Sequence, residues 1–263
     1  MTADTNCTNS EMLSVLLARD LRDGEKAIVG TNSDVQVAAC NLARHMHAPT
    51  LWWVSGPGGM VNADDGIIRP TADHRNLACC EAVMDLPQMI DFIDWEIHFF
   101  DFAILGALQV DRFGNINTVC VGSHARPKLR GPGTVGIAAL TALSKRFYVV
   151  MPKHHRGAFV ERVDFLNGPG HLDGGSSRTD RGLPAGGPKL VVSNLGVFDF
   201  ETTTKGMRIV SLHPGVTIDQ VRTNTGFEML VEGTPPVTKM PTAEELTILR
   251  QKVDSTGVLR SAA

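Results

Sequence analysis

The segment Ser55-Gly56-Pro57-Gly58-Gly59 follows the apolar run Leu51-Trp52-Trp53-Val54. Glycine lacks Cβ and accepts positive φ, so backbone here can approach a ligand and aim N–H groups at a developing oxyanion or a phosphate. A tight turn that holds no ligand would have the same composition. Ser55 reads as an exposed-turn serine, because no G-x-S-x-G elbow and no Ser/His/Asp order accompany it.

Two further segments carry residue types suited to anions. Gly30-Thr31-Asn32-Ser33 closes another apolar run, and a strand-to-helix turn leaves free N–H groups at a positive dipole end. Its spacing matches neither a Walker A loop nor the dinucleotide fingerprint. Between Ser123 and Gly136, His124, Arg126, Lys128 and Arg130 precede Gly131, Gly133 and Gly136. Arginine there can pair with phosphate or carboxylate, and a solvated basic loop would have the same sequence. His154-His155 and the other seven histidines lack ligand spacing with Cys or carboxylate, so no metal is expected.

The elements that must hold these residues can be read from hydrophobic pattern. Ala27-Ile28-Val29 predicts a strand, and Ser33 with Gln36 has capping-box spacing for a helix that turns Val37, Ala38, Cys40 and Leu42 inward. Leu51 to Val54, Phe102 to Leu108, Phe147 to Val150, Leu190 to Val192 and Ile209 to Leu212 read as further strands. A helix is expected after Thr8-Asn9-Ser10-Glu11, and another after Pro241-Thr242-Ala243-Glu244-Glu245. Strands alternating with helices predict an α/β fold with an open, mostly parallel sheet flanked by helices. Residues 1–263 are expected as a single domain, with an irregular Gly/Pro-rich surface loop at about 167–188 and a loose tail after 254.

Composition excludes several classes of function. A chain of 263 residues with 43% hydrophobic content can bury a large core. Its 25 Lys+Arg against 28 Asp+Glu, spread along the chain, give no basic footprint for nucleic acid and no polybasic membrane patch. No window approaches the roughly 20 apolar residues of a membrane span, so a cytoplasmic protein is expected. The five cysteines form an odd set without C-x-x-C spacing and read as reduced thiols.

Two long composite patterns carry a resemblance. Gly106-Ala107-Leu108-Gln109-Val110-Asp111-Arg112-Phe113-Gly114-Asn115-Ile116-Asn117 resembles the GAxQVDxxGNxN signature of family I CoA-transferases, in the branch of the glutaconate CoA-transferase β chains. Val192 to Phe200, Met207 to Val216 and Thr225-Gly226-Phe227 resemble the C-terminal half of the same branch. The resemblance implies a CoA-transferase (NagB/RpiA-like) fold, an obligate α subunit, an α2β2 assembly, and a CoA thioester as substrate with no other cofactor. It implies that Gly58 and Gly59, with Ser55, serve catalysis by holding the thioester carbonyl. Asn32, Gly56, Gln109, Asn115, His124, Arg126, Gly133 and Gly136 are implied as substrate or CoA contacts.

One departure from the family pattern decides the expected chemistry. Transferases of this type carry an attacking glutamate in an ESG or ENG pattern, whereas this chain reads Trp53-Val54-Ser55-Gly56. Valine cannot form a covalent acyl intermediate. The glutamate-less branch is similar to actinobacterial steroid-degradation hydrolases, which implies hydrolytic carbon-carbon cleavage of a cyclic keto acyl-CoA with a base from the α subunit. A transferase that uses Asp64 or Asp65 instead, and a noncatalytic scaffold subunit, are the competing expectations.

Overall fold

The computed structural model describes residues 6–30, 33–56, 58–94 and 99–261. In chain order the first elements are α1 (Asn9–Ala18), β1 (Lys26–Val29), α2 (Asp34–Met46), β2 (Trp52–Ser55), β3 (Met60–Val61), β4 (Ala82–Val83), α3 (Leu86–Asp94) and β5 (Phe102–Gly106). Next come β6 (Gln109–Asp111), β7 (Ile116–Asn117), β8 (Cys120–Ser123), β9 (Arg126–Arg130), α4 (Ile137–Leu143), β10 (Arg146–Met151), β11 (Phe159–Val160) and α5 (Ser177–Asp180). The chain ends with β12 (Pro188–Ser193), β13 (Gly196–Phe200), β14 (Met207–Leu212), α6 (Ile218–Asn224), α7 (Ala243–Ile248) and α8 (Val258–Ser261). Two compact units are distinguishable, Met1–Phe92 with Phe100–Leu105 and Lys239–Ala263, and Ile93–Phe99 with Gly106–Thr238.

In the first unit, β1 lies between β2 and β5 and runs parallel to both. Ile28, Val29, Val54, Phe102, Ala103 and Ile104 are all buried, which is why these strands read as continuous apolar runs rather than alternating ones. β3 and β4 add antiparallel to β2 in turn. The helix α1 packs on α2 and opens with a capping box between Thr8 and Glu11. Glu11 is fully buried, and the Arg250 guanidinium donates to it at 2.7 and 3.0 Å. The capping box expected at Ser33 does not form, because the Ser33 side chain makes no cap hydrogen bond. The one at Thr242 and Glu245 does form. The tail expected to be loose is helical through Ser261, with the Val258 and Leu259 N–H groups donating to the Asp254 carboxylate and Leu259 buried.

In the second unit, β10 and β12 are parallel, and β13 and β14 extend β12 antiparallel. A small sheet joins β11, β6 and β7, and β8 with β9 forms a separate hairpin. The fold is therefore α/β, with parallel pairs at the heart of each strand set and antiparallel strands added. The 167–188 segment contains α5 and is pinned from within. Arg178 is buried and donates to the carbonyl oxygens of Pro169, Gly170, Pro184, Thr141 and Ala142 at 2.7–3.0 Å.

Candidate functional site

The register Val29↔Ser55 ends β1 and β2 at the same level, so Gly30 and Gly56 turn away side by side at the strand carboxyl ends. Ligands of open α/β folds bind at such ends. Thr71 joins the two turns: its hydroxyl donates to Gly30 O at 2.8 Å, and its carbonyl accepts the Ser55 hydroxyl at 3.1 Å. Ser55 is 1% exposed, which corrects its reading as an exposed-turn serine. Asn32, expected as a substrate contact, lies outside the described residues.

The glycine turn spends its own donors. Gly58 and Gly59 N–H both donate to Ser55 O, at 3.2 and 2.7 Å, and Gly56 N–H donates to Val29 O at 2.8 Å. The expected oxyanion donors are thus engaged in closing the turn between β2 and β3. What the glycines do provide is clearance. A Cβ on Gly59, whose φ is +63°, would stand 1.9 Å from Met84 O, and one on Gly58 would stand 3.1 Å from the Ala72 Cα. Val54 is fully buried and pairs with Ile28 and Val61.

Asp34 and Asp64 lie at opposite ends of the strands. Asn62 N–H donates to Trp53 O at 2.9 Å, so β3 leads the chain away from the glycine turn toward the amino end of β2. Asp64 follows there, with its Oδ2 2.8 Å from His45 Nε2 and its Oδ1 buried without a partner among the described residues. His45 is near the C-terminus of α2, whose 13 residues span about 20 Å. Asp34, in the first turn of α2, lies instead at the carboxyl end, where its carboxylate accepts from Arg69 Nε. Asp34, Arg69 and Thr71 were not singled out by sequence reasoning; Gly66-Ile67-Ile68-Arg69-Pro70-Thr71 has no motif to mark it.

In the second unit the signature motif faces inward. Gln109 Oε1 accepts from Asn117 Nδ2 at 2.8 Å and Asp164 N at 2.9 Å, while its Nε2 donates to Asp164 at 3.1 Å. Asn115 Nδ2 donates to the Asp111 carboxylate and to Leu172 O, and its Oδ1 accepts from Gly170 N and Leu172 N. Both amides are buried and spent on the fold, which corrects their reading as substrate contacts: Asn115 fixes the 167–188 segment at Gly170 and Leu172, and Gln109 fixes Asp164. Burial pushes the Asp111 pKa up to about 6. A cleft of about 360 Å³ opens beside Asp111, with Arg112, Arg162 and Arg181 in its wall. Two of these cations are neutralised, Arg112 by Glu161 at 2.8 Å and Arg181 by Asp173 at 2.9 Å.

The basic segment is a hairpin rather than a loop. Ser123 pairs with Arg126 across the turn His124-Ala125, and Gly122 N–H donates to Asp164 at 2.7 Å. His124 is exposed and its ring lies 5.2 Å from that of Phe165. Arg126, Lys128 and Arg130 are all exposed along β9, and its pairing with β8 slips by one residue between Pro127 and Leu129, which breaks the two-residue alternation between Arg126 and Arg130. None of the three has an ion pair among the described residues. Beyond the hairpin, Gly133 (φ +103°) and Gly136 (φ +73°) hold left-handed turns, and Gly136 precedes α4. Among the described residues no cluster of His, Cys, Asp and Glu could hold a metal, and no helix is long and apolar enough to cross a membrane.

Comparison with known proteins places this arrangement. The family described as Coenzyme A transferase matches residues 10–224. The chain is 34% identical to one of the subunits of the 3-oxoadipate CoA-transferase of Pseudomonas knackmussii, over 92% of each chain. It is 31% identical to the cholesterol ring-cleaving hydrolase IpdB subunit of Mycobacterium tuberculosis, over 94% of this chain and 95% of that one. The crystal structure of glutaconate coenzyme A-transferase from Acidaminococcus fermentans superposes with a TM-score of 0.87 at 26% identity, covering 97% of this chain and 98% of that one. The chain belongs to the Coenzyme A transferase family.

Proposed function

We propose that the chain is the β-type subunit of a heteromeric acyl-CoA hydrolase that opens a ring by hydrolytic carbon-carbon cleavage of a cyclic keto acyl-CoA, as in steroid catabolism. Its partner is a CoA-transferase-like α subunit in an α2β2 assembly, and the CoA thioester is the substrate. The observation that carries this reading is the buried Val54 at the position where transferases of this type keep their attacking glutamate. Asp64 is a poor substitute, because it pairs with His45 at the far end of the strands, and covalent catalysis needs reacting atoms within about 3–3.5 Å.

In the remaining chemistry, water adds to the ring ketone and the bond from that carbon to the α-carbon of the thioester breaks. The electron pair passes into the thioester enolate, and a proton then returns to the α-carbon. One water is consumed, one carboxylate forms, and CoA stays attached. The base that activates the water comes from the α subunit. This chain contributes binding: the carboxyl ends of β1 and β2, where Gly30 and Gly56 turn away, receive the thioester.

The identity to a 3-oxoadipate CoA-transferase chain favours a second reading, in which CoA moves between carboxylic acids. Turnover of a cyclic 3-keto acyl-CoA by the purified heteromer in ¹⁸O-water separates the two. One ¹⁸O in a new carboxylate, with CoA retained, is the expected result. CoA appearing on an added free carboxylic acid would establish the transferase.

A further inference from the structure

At the carboxyl ends of β1 and β2, one cation is held in place yet only partly used. The Arg69 Nε donates to the Asp34 carboxylate, and its terminal guanidinium nitrogens have no partner among the described residues. The Arg69 side chain is 49% exposed, against 20% for Asp34. Asp34 is itself fixed in the first turn of α2, where the positive end of the helix dipole stabilises a carboxylate. Asp34 therefore orients the guanidinium while the dipole offsets part of its charge, and the free face of Arg69 stays a competent cation.

The surroundings place that face near the reacting end of a ligand. Thr71, two residues beyond Arg69 and so within about 7 Å of chain, bridges Gly30 and Ser55. Ala72 backs directly onto Gly58. A group held by Arg69 thus lies beside the glycine turn. The phosphates of CoA are separated from its thioester by the whole pantetheine arm, so a thioester at this turn brings its acyl chain, and not its phosphates, into reach of Arg69. A planar guanidinium with paired N–H donors suits a carboxylate, which it can bind bidentately.

We propose that Arg69, positioned by Asp34, is a recognition site for a carboxylate on the acyl chain, so that the enzyme selects acyl-CoA esters carrying a second acid group. This rests on the acyl-CoA reading above. It does not depend on whether the reaction is hydrolysis or CoA transfer.

Calorimetric titration of the purified heteromer with glutaryl-CoA and pentanoyl-CoA, which differ at the end of the acyl chain by a carboxylate, tests it. Wild type should bind glutaryl-CoA roughly 10- to 100-fold more tightly, as expected for a hydrogen-bonded charge pair, and Arg69→Gln should abolish the difference while pentanoyl-CoA binding stays unchanged. Arg69→Lys, which keeps the charge without the fork, should retain an intermediate preference and serves if the glutamine variant does not assemble. Equal binding of the two esters by wild type, or an equal loss of both in the variant, overturns the role of Arg69 alone. Binding of neither ester overturns the acyl-CoA reading as well.

Discussion

The Ser55 hydroxyl donates to the Thr71 carbonyl oxygen at 3.1 Å, with both residues buried. This bond ties the end of β2 to the segment carrying Arg69, and it leaves Ser55 no free proton to give up as a nucleophile. Ser55→Ala removes one donor but leaves the Thr71 carbonyl its bond from Asn76 Nδ2 at 3.2 Å, so the cost is about 0.5–1.5 kcal/mol. Urea denaturation should show that loss, while turnover should stay within about tenfold of wild type, far from the 10²–10³-fold loss of an oxyanion-hole donor. Near-complete loss of turnover in a folded variant would make Ser55 a participant.

The glycines divide into those the fold needs and those it tolerates losing. Gly59→Ala combines a positive φ, worth about 1–2 kcal/mol, with a clash against Met84 O, so a loss of about 3 kcal/mol or more is expected. A Cβ on Gly133 meets nothing within 4 Å, and Gly133→Ala should lose only the backbone share. Comparing the two urea midpoints checks this. Similar midpoints would mean that the backbone at Met84 yields freely to the added methyl.

Acid should weaken the protein. His154 lies between Ser193 Oγ at 3.0 Å and Thr225 Oγ1 at 2.9 Å, with its ring stacked on Phe159, and burial depresses its pKa to about 3. Burial likewise lowers His171 to about 4, and lowers His213. Below about pH 6.5 the unfolded chain binds protons at these positions that the native chain does not, so their contribution is lost as pH falls toward 4. Asp111 opposes this: raised to about 6, it holds a native proton that the unfolded chain has released, and its contribution is lost as pH rises through 6. Burial raises Asp254 in the same sense, and three histidines outweigh two aspartates. The urea midpoint should therefore fall from pH 6.5 to 4.5, and less steeply in His171→Gln; a midpoint that holds or rises would contradict the account.

Arg178 should govern the integrity of the 167–188 segment. Arg178→Ala leaves five carbonyl oxygens without their donor, and about 3 kcal/mol or more of stability should go with it. Limited proteolysis should then cut between Asn167 and Pro188 faster than in wild type. Unchanged cleavage would mean that Asn115 alone pins the segment.

Local patterns were legible in the sequence, and long-range ones were not. The apolar runs of β1, β2 and β10, the helix start after Thr8 and the capping box at Thr242 depend on neighbours a few residues apart. Gln109 and Asn115 were visible as members of a motif, but the partners that turn them inward are 55 and 57 residues away. Asp34 and Arg69 are separated by 35 residues, with no spacing rule to join them. The hairpin at Arg126 did leave a signal, since Arg126, Lys128 and Arg130 alternate at the period of a strand, but the flanking glycines favoured a loop.

The central claim is that this chain carries no acyl group during turnover. Mass spectrometry of the intact chain, after the heteromer has processed its acyl-CoA and been quenched with borohydride, tests it directly. The account predicts an unmodified mass while ring-opened CoA ester accumulates. A carboxylate of this chain reduced to an alcohol, at Asp34, Asp64 or elsewhere, would contradict it.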